Sequence, residues 1–150
     1  MVSDEWKLIL PLFKKLQESP SFYMKQVMQK YEKNLSDILV DFELTPTQME
    51  LLTGLAVLMK EGTPINQNDV AIFVNRDKNT VSEVLRTLEK KGYIARFKSS
   101  SDKRAKSLVI TDNGLSIIEN AINDVLVLDD QFFPKGSDRD ELIKLLIKYL

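Results

Sequence analysis

Residues 75–106 carry the side chains best suited to binding a polyanion. This stretch has ten Lys and Arg residues against four Asp and Glu, a balance of +6, whereas the whole 150-residue chain has a net charge of −1. The rest of the chain therefore carries −7. Phosphate binding needs a concentrated basic patch rather than a basic protein. The charge distribution favours a nucleic-acid partner over a merely solvated charged face.

The chain has no cysteine and no histidine. This excludes disulfides, zinc fingers, thiol chemistry and histidine-dependent catalysis. The acids form no calcium loop of the D-x-[DN]-x-[DN]-G type. The neighbouring acids Asp129 and Asp130 lie in no recognisable cleft, and adjacent acids on a helix or at its end do not face each other. We therefore expect no cofactor, no metal site and no enzymatic activity.

Length and hydropathy indicate one globular domain over residues 1–150. No run of about 18 apolar residues is present, so we expect no membrane span. The first ten residues, MVSDEWKLIL, have acids where a signal peptide has basic residues. We expect a cytoplasmic protein.

Apolar residues at steps of three and four predict the helices that must position the basic stretch. Pro20 and Ser21 mark the start of the first long helix, and Thr111 and Ser137 are predicted to cap the last two. An N-terminal helix is expected to start or break at Pro11. The predicted helices cover about 21–42, 67–74, 78–91, 111–127 and 138–149.

A further helix, from Pro46 towards Gly62, has strong start signals. Thr45 is a candidate N-cap, and Gln48 completes a capping box with it. Leu44 and Met49 are placed to form a hydrophobic staple.

The segments 67–74 and 78–91 have the dimensions of a helix-turn-helix. Gly92 stands where a left-handed residue ends the second helix. Residues 93–98 and 106–110 are predicted strands around the polar loop KSSSDKRAK. The expected fold is mainly α with a small β-hairpin wing, a winged helix-turn-helix with flanking helices. The residues predicted to be its core are Val81, Val84, Leu85, Leu88, Ile94, Leu108 and Ile110.

Four motifs in this order resemble the MarR family of transcriptional regulators. LEKKGYIAR at 88–96 is similar to the family's L-E-x-K-G-[LY]-[IV]-x-R, and Asp102-Lys103-Arg104 matches its D-x-R. ITDNG at 110–114 resembles L-T-x-x-G, and LTPTQMELL at 44–52 resembles the start of a family helix. The resemblance covers about 21–150.

The resemblance implies a homodimer that binds double-stranded DNA as a sequence-specific regulator. Helices in about 1–42 and 111–150 would form the dimer, and about 45–110 would form the DNA-binding lobe. The function implied is a ligand-responsive repressor on a pseudo-palindromic operator, released by a small aromatic or phenolic effector. A winged-helix protein-interaction module is the alternative, and it would leave the +6 charge unexplained.

The outer side of helix 78–91 and the wing carry the predicted DNA contacts. Asn79 could pair with adenine and Glu83 could accept from cytosine N4, whereas Asn79 and Thr80 could instead only start the helix. Arg104 in the wing suits a narrow minor groove. The predicted DNA-binding residues are Arg76, Lys78, Asn79, Thr80, Ser82, Glu83, Arg86, Lys98, Ser100, Lys103, Arg104 and Lys106. Arg96 and Asp102 are predicted to structure the wing.

Two residues depart from the family pattern. Many relatives have Arg or Lys at the position of Glu83, and an apolar residue at that of Arg76. Glu83 would repel phosphate, so it either reads a base or pairs with Arg86 or Thr87.

Apolar side chains near both ends of the chain are candidates for the dimer interface, with intrachain core as the alternative. A monomer would leave them as an exposed patch. They are Trp6, Ile9, Phe13, Phe22, Leu142, Leu145, Leu146 and Tyr149. A second set could line an effector pocket or pack in the core, and we predict no ligand residues from it: Met24, Met28, Phe42, Met49, Leu52 and Phe73.

Overall fold

The computed structural model describes residues 4, 6–60, 62, 64–98 and 106–150, with the side chains of Lys98 and Lys106 not described. The elements in chain order are α1 (Trp6–Gln17), α2 (Pro20–Leu39), a 3₁₀ turn (Val40–Phe42), α3 (Pro46–Met59), α4 (Gln67–Phe73), α5 (Lys78–Lys90), β1 (Ile94–Lys98), β2 (Lys106–Ile110), α6 (Asp112–Phe132) and α7 (Ser137–Ile147). The prediction of a mainly helical chain with one hairpin is confirmed. Two compact units divide the chain, residues 1–34 and 35–150.

The first unit contains α1 and most of α2. Helix α1 runs through Pro11 without a break, so the prediction of a boundary there was wrong. The ring of Pro11 removes one backbone hydrogen bond but does not end the helix. Ser19, rather than the predicted Ser21, caps α2, because its Oγ accepts from the Phe22 N–H at 3.3 Å. Pro20 then occupies the first helical position, as predicted.

The second unit is built around α3. Thr45 and Gln48 form the predicted capping box, with both bonds at 3.2 Å. Leu51, Leu52 and Leu55 are fully buried, so α3 contacts neighbours on several sides rather than along one stripe. It therefore forms the centre on which α4, α5, β2 and α6 pack.

Helix α6 extends five residues beyond its predicted end and includes Phe132. Its buried side contains Ala121 and Leu128, whereas Leu115 and Leu126, which lie at helical spacing with the apolar Ile118 and Ile122, are exposed. Thr111 caps the helix as predicted, accepting from the Gly114 N–H at 3.1 Å. Packing against the rest of the protein, rather than the apolar pattern of the helix itself, therefore determines which face of α6 is buried.

Helix α7 begins at Ser137, which was predicted to precede it as the cap. The N-cap is Gly136, at φ +153°, and it offers no side chain to the helix. Ser137 Oγ instead lies 3.3 Å from Asp138 Oδ1. Within the described residues, no helix has the length and apolar character needed to cross a membrane.

Candidate nucleic-acid interface

Helices α4 and α5 form the predicted helix-turn-helix. Asn66 caps α4 through a capping box with Asp69, a local signal that the sequence carries and the helix prediction missed. The turn between the helices bends at Asn75, whose φ is +51°. Gln67 Nε2 donates to the Lys78 carbonyl oxygen at 3.3 Å, which ties the two helix starts together. These contacts fix where α5 begins.

Asp77 starts α5 as its N-cap, another role that sequence reasoning missed. Its carboxylate accepts from the Thr80 N–H at 2.8 Å and from the Thr80 hydroxyl at 2.5 Å. These hydrogen bonds, chiefly that from the Thr80 side chain, lower the pKa of Asp77 below its ordinary value. Thr80 therefore has the helix-starting role that the sequence left open.

One side of α5 is anchored and the other is free. Val81, Leu85 and Leu88 are fully buried, as predicted. The opposite side is solvent-exposed apart from the half-buried Thr80 and Ser82, and it carries Lys78, Asn79, Glu83, Arg86 and Thr87. The structure therefore brings the predicted contact residues of α5 onto one outer surface.

Glu83 forms neither of the two pairs considered from sequence. Among the described residues no cation makes an ion pair with its carboxylate. The Thr87 hydroxyl donates to the backbone carbonyl of Glu83 at 3.1 Å, not to the side chain. The carboxylate thus projects into solvent beside the exposed Arg86.

Arg76 has a partner within the protein. Its Nε lies 2.5 Å from Glu50 Oε2, an ion pair between the turn and α3. Both side chains remain more than a third exposed, so the pair contributes little to stability. The structure places this predicted DNA-binding residue where it also orients the turn.

The hairpin pairs antiparallel, with Ile94 opposite Ile110 and Lys98 opposite Lys106. Ile94, Leu108 and Ile110 are buried, as predicted. Leu108 N–H donates to the Ile65 carbonyl at 2.7 Å, adding a short third bridge. The base of the wing is thereby attached to the segment before α4.

Arg96 connects this hairpin to α5. Its Nε is 3.1 Å from Glu89 Oε2, an ion pair that lacks hydrogen-bond geometry. Arg96 thus has a partner on α5, within the part of the chain that the structure describes. Four predicted wing residues, Ser100, Asp102, Lys103 and Arg104, lie outside the described residues.

At the C-terminal end of α5, Lys91 makes a contact that the sequence did not predict. Lys91 Nζ donates to the Glu43 carbonyl, and also to Gln48 Oε1 at 3.3 Å. Gln48 is buried, and Glu43 has a positive φ of 52°. Because Lys91 is more than 40 residues from both partners, no local pattern could have indicated this contact.

Gly114, in the first turn of α6, lies directly against the base of the wing. A Cβ at this position would come within 2.1 Å of the Tyr93 carbonyl oxygen. Thr111 N–H donates to the same carbonyl at 3.0 Å. The ITDNG motif therefore joins β2 to α6 by an approach that only glycine permits.

Seven of the eight candidate dimer residues are exposed. Phe22 is half-buried. The exposed ones are Trp6, Ile9, Phe13, Leu142, Leu145, Leu146 and Tyr149, between 37% and 86% accessible. Tyr149 lies beyond the end of α7, which closes at Ile147.

An ion cluster holds the start of α7 to the end of α6. Arg139 donates to Asp129 and Asp130, each at 2.6 Å, and to the Phe133 carbonyl at 3.1 Å. Hydrogen bonds from Lys135 and Arg139 lower the pKa of Asp130. Beside the cluster is an open cavity of about 220 Å³ lined by Asp129, Phe133, Arg139, Leu142, Ile143 and Leu146.

The candidate effector residues have different environments. Met49 and Leu52 belong to the core, and Phe42 packs against it. Phe73 is half-exposed and lies over Gly54, where a Cβ would meet its ring at 3.2 Å. Met24 and Met28 are exposed in the first unit.

Comparisons of the sequence with known proteins point to one family of transcriptional regulators. The model of the MarR family matches residues 44–106. The uncharacterized HTH-type transcriptional regulator YdcH of Bacillus subtilis is 33% identical over 132 residues, 88% of this chain and 90% of that protein. The HTH-type transcriptional regulator SarZ of Staphylococcus saprophyticus is 32% identical over 104 residues, 68% and 66% of the two chains.

Solved structures share the fold. MepR of S. aureus in complex with DNA has a TM-score of 0.76 at 23% identity, covering 87% of this chain and 93% of that one. The transcriptional repressor CouR bound to a 23-mer DNA duplex has a TM-score of 0.77 at 24% identity, covering 90% and 94%. CouR from Rhodococcus jostii bound to p-coumaroyl-CoA has a TM-score of 0.75 at 19% identity, covering 89% and 90%. The predicted winged helix-turn-helix fold is confirmed.

Proposed function

The chain belongs to the MarR family of HTH-type transcriptional regulators, and we propose that it represses transcription by binding a pseudo-palindromic DNA operator as a homodimer. The observation that carries the proposal is the outer side of α5. Val81, Leu85 and Leu88 fix this helix to the core, while its polar side is exposed in the part of the chain that holds the +6 charge. A rigid helix with a free polar side is what the major groove accepts.

The contacts to DNA divide by role. Asn79, Ser82 and Arg86 would meet base edges or phosphates from α5. Lys98, Lys103 and Lys106 would bind phosphates from the wing, and Arg104 would enter the minor groove. Support comes from the relatives MepR and CouR, both solved with DNA.

Dimerisation would cover the apolar side chains at both ends of the chain. Helices α1 and α7 each expose several large apolar side chains, which a dimer interface would remove from water. A two-fold dimer also places two recognition helices one DNA turn, about 34 Å, apart. A two-fold dimer would therefore account for the exposed apolar residues of each unit and for a palindromic site.

A small aromatic effector would release the DNA. The support is the structural relative CouR, solved with p-coumaroyl-CoA, whose acyl group is aromatic. The relatives are bacterial regulators, so we place the protein in the cytoplasm, with the chromosome, and assign it no enzymatic activity.

Selection of bound sequences from random duplex DNA tests the proposal. A dimer with two recognition helices should enrich a pseudo-palindrome with half-sites about one helical turn apart. Enrichment of a single unrepeated site would contradict dimeric docking. Failure to enrich any sequence at low salt would favour the protein-interaction module instead.

A further inference from the structure

Glu83 is an acid on the surface that collects the positive charge. It lies on the exposed side of α5, between Asn79 four residues earlier and Arg86 three residues later. At 1.5 Å per residue, these neighbours lie about 6 and 4.5 Å away along the helix axis and share its outer side. Any duplex that approaches Asn79 and Arg86 therefore also approaches Glu83.

The other described acids of residues 75–106 have a structural task. Asp77 accepts two hydrogen bonds from Thr80 at the start of α5. Glu89 pairs with Arg96 at 3.1 Å and so holds the wing to the helix. Within the described residues, the carboxylate of Glu83 has no ion pair. In the part of the chain that the structure describes, neither a capping contact nor an ion pair explains an acid at this position.

An unpaired carboxylate is unfavourable near phosphates unless the duplex supplies a hydrogen-bond donor. A carboxylate only accepts hydrogen bonds. In the major groove, guanine presents two acceptors, and thymine an acceptor and a methyl group. Adenine presents a donor beside the N7 acceptor, which would repel a carboxylate, whereas cytosine presents the N4 amino donor alone. The chemistry of Glu83 thus matches cytosine best.

We propose that Glu83 is a specificity-determining residue that accepts a hydrogen bond from the N4 amino group of one cytosine in each half-site. This inference rests on the proposed function, because it requires α5 to lie in the major groove. Glu83 disfavours duplexes that lack the cytosine N4 amino group at this position, because its carboxylate then faces the groove without a hydrogen-bond donor. It raises discrimination between sequences and lowers affinity for DNA in general.

The test compares sequence selections by the wild-type protein, Glu83→Gln and Glu83→Ala. The wild type should require cytosine at one position of each half-site, with a preference on the order of tenfold over other bases. Glu83→Ala should lose that preference, whereas Glu83→Gln, whose amide donates as well as accepts, should also select adenine at that position. Both variants should keep the other positions and bind random duplex more tightly. Glu119→Gln removes the same charge from an exposed site on α6 and should leave the selected sequence unchanged.

A base analogue isolates the proposed hydrogen bond. Replacing the selected cytosine by 2-pyrimidinone removes only the exocyclic amino group. When the analogue replaces cytosine, the ratio of the wild-type affinity to that of Glu83→Ala should fall by about the same tenfold factor.

Three results separate the inference from its premise. The assignment to cytosine is wrong if the Glu83 variants select the same base as the wild type at every position. It is also wrong if the wild type requires adenine or another base, rather than cytosine, at the position where its selection differs from theirs. If the analogue weakens the wild type and Glu83→Ala equally, Glu83 does not contact the amino group. If the wild type selects no sequence at all, the proposed function itself fails.

Discussion

The Nε of Arg76 lies 2.5 Å from Oε2 of Glu50, so the turn of the helix-turn-helix is attached to α3. Arg76 is followed directly by Asp77, the cap of α5. The ion pair therefore acts on the segment that sets where the recognition helix begins.

Substituting either partner tests whether Arg76 acts through Glu50. Arg76→Ala and Glu50→Ala should each weaken DNA binding, and the double variant should be little worse than the more affected single one, because both remove the same contact. The free energy of unfolding should change by no more than about 1 kcal/mol, as for other exposed ion pairs. Titrations at fixed salt and urea unfolding measure the two effects.

Lys78→Ala provides the matched control, since Lys78 is exposed and has no ion pair in the described part of the chain. Its effect on affinity should add to that of Glu50→Ala. If Glu50→Ala instead tightens binding while Arg76→Ala weakens it, Arg76 contacts phosphate directly and the orienting role is wrong.

Arg104→Ala tests the wing. An arginine in a narrow minor groove meets enhanced negative potential, so its loss should weaken DNA binding by about 1–3 kcal/mol. The free energy of unfolding should stay unchanged. Lys144→Ala, on exposed α7, removes the same charge outside the proposed interface and should leave affinity almost unaltered. Equal affinity of Arg104→Ala and wild type at fixed salt would remove Arg104 from the interface.

Gly114→Ala tests the junction between β2 and α6. The added Cβ would meet the Tyr93 carbonyl oxygen at 2.1 Å, a contact with backbone that no rotamer can relieve. We expect a loss of about 1–3 kcal/mol or more in the free energy of unfolding, as for other overpacked sites. Ser116→Ala, two residues later and exposed, should change stability by less than about 0.5 kcal/mol. Wild-type stability of Gly114→Ala in urea would show that the junction is not tight.

Leu146→Glu tests the dimer. Leu146 is 38% exposed on α7 and borders the cavity beside Arg139. A carboxylate buried in an apolar interface is costly, so the variant should be monomeric at concentrations where the wild type is a dimer. Lys144→Glu, a charge change on the same helix, is the control for surface charge alone. Light scattering that finds the wild type monomeric at micromolar concentration would contradict the dimer.

The sequence was sufficient where structure depends on local signals. The Thr45–Gln48 capping box and the buried side of α5 follow from residues within one or two turns of each other, and both were predicted. The same holds for the left-handed Gly92, at φ +74°. These features carry most of the fold, because helix periodicity and capping are properties of short segments.

The contacts that orient the site were not predictable, because they join distant segments. Arg76 and Glu50 are 26 residues apart, and Lys91 reaches Glu43 across 48. Leu115 and Leu126 fit the apolar repeat of α6 but are exposed. Several faces of this helix are apolar, and tertiary packing determines which of them is buried. Pro11 likewise lies within α1, although a proline in a helix interior removes one backbone hydrogen bond and its ring crowds the carbonyl of the preceding turn.

The dependence of DNA affinity on salt tests the central claim most directly. If α5 and the wing of each protomer bind duplex DNA, the logarithm of the association constant should fall linearly with the logarithm of salt concentration. Six to ten phosphate contacts would lower affinity by about 10³–10⁵ between 50 and 200 mM salt. Arg86→Ala should bind more weakly than the wild type at every salt concentration. A wild-type protein that binds no duplex DNA at the lowest salt concentration would contradict the account.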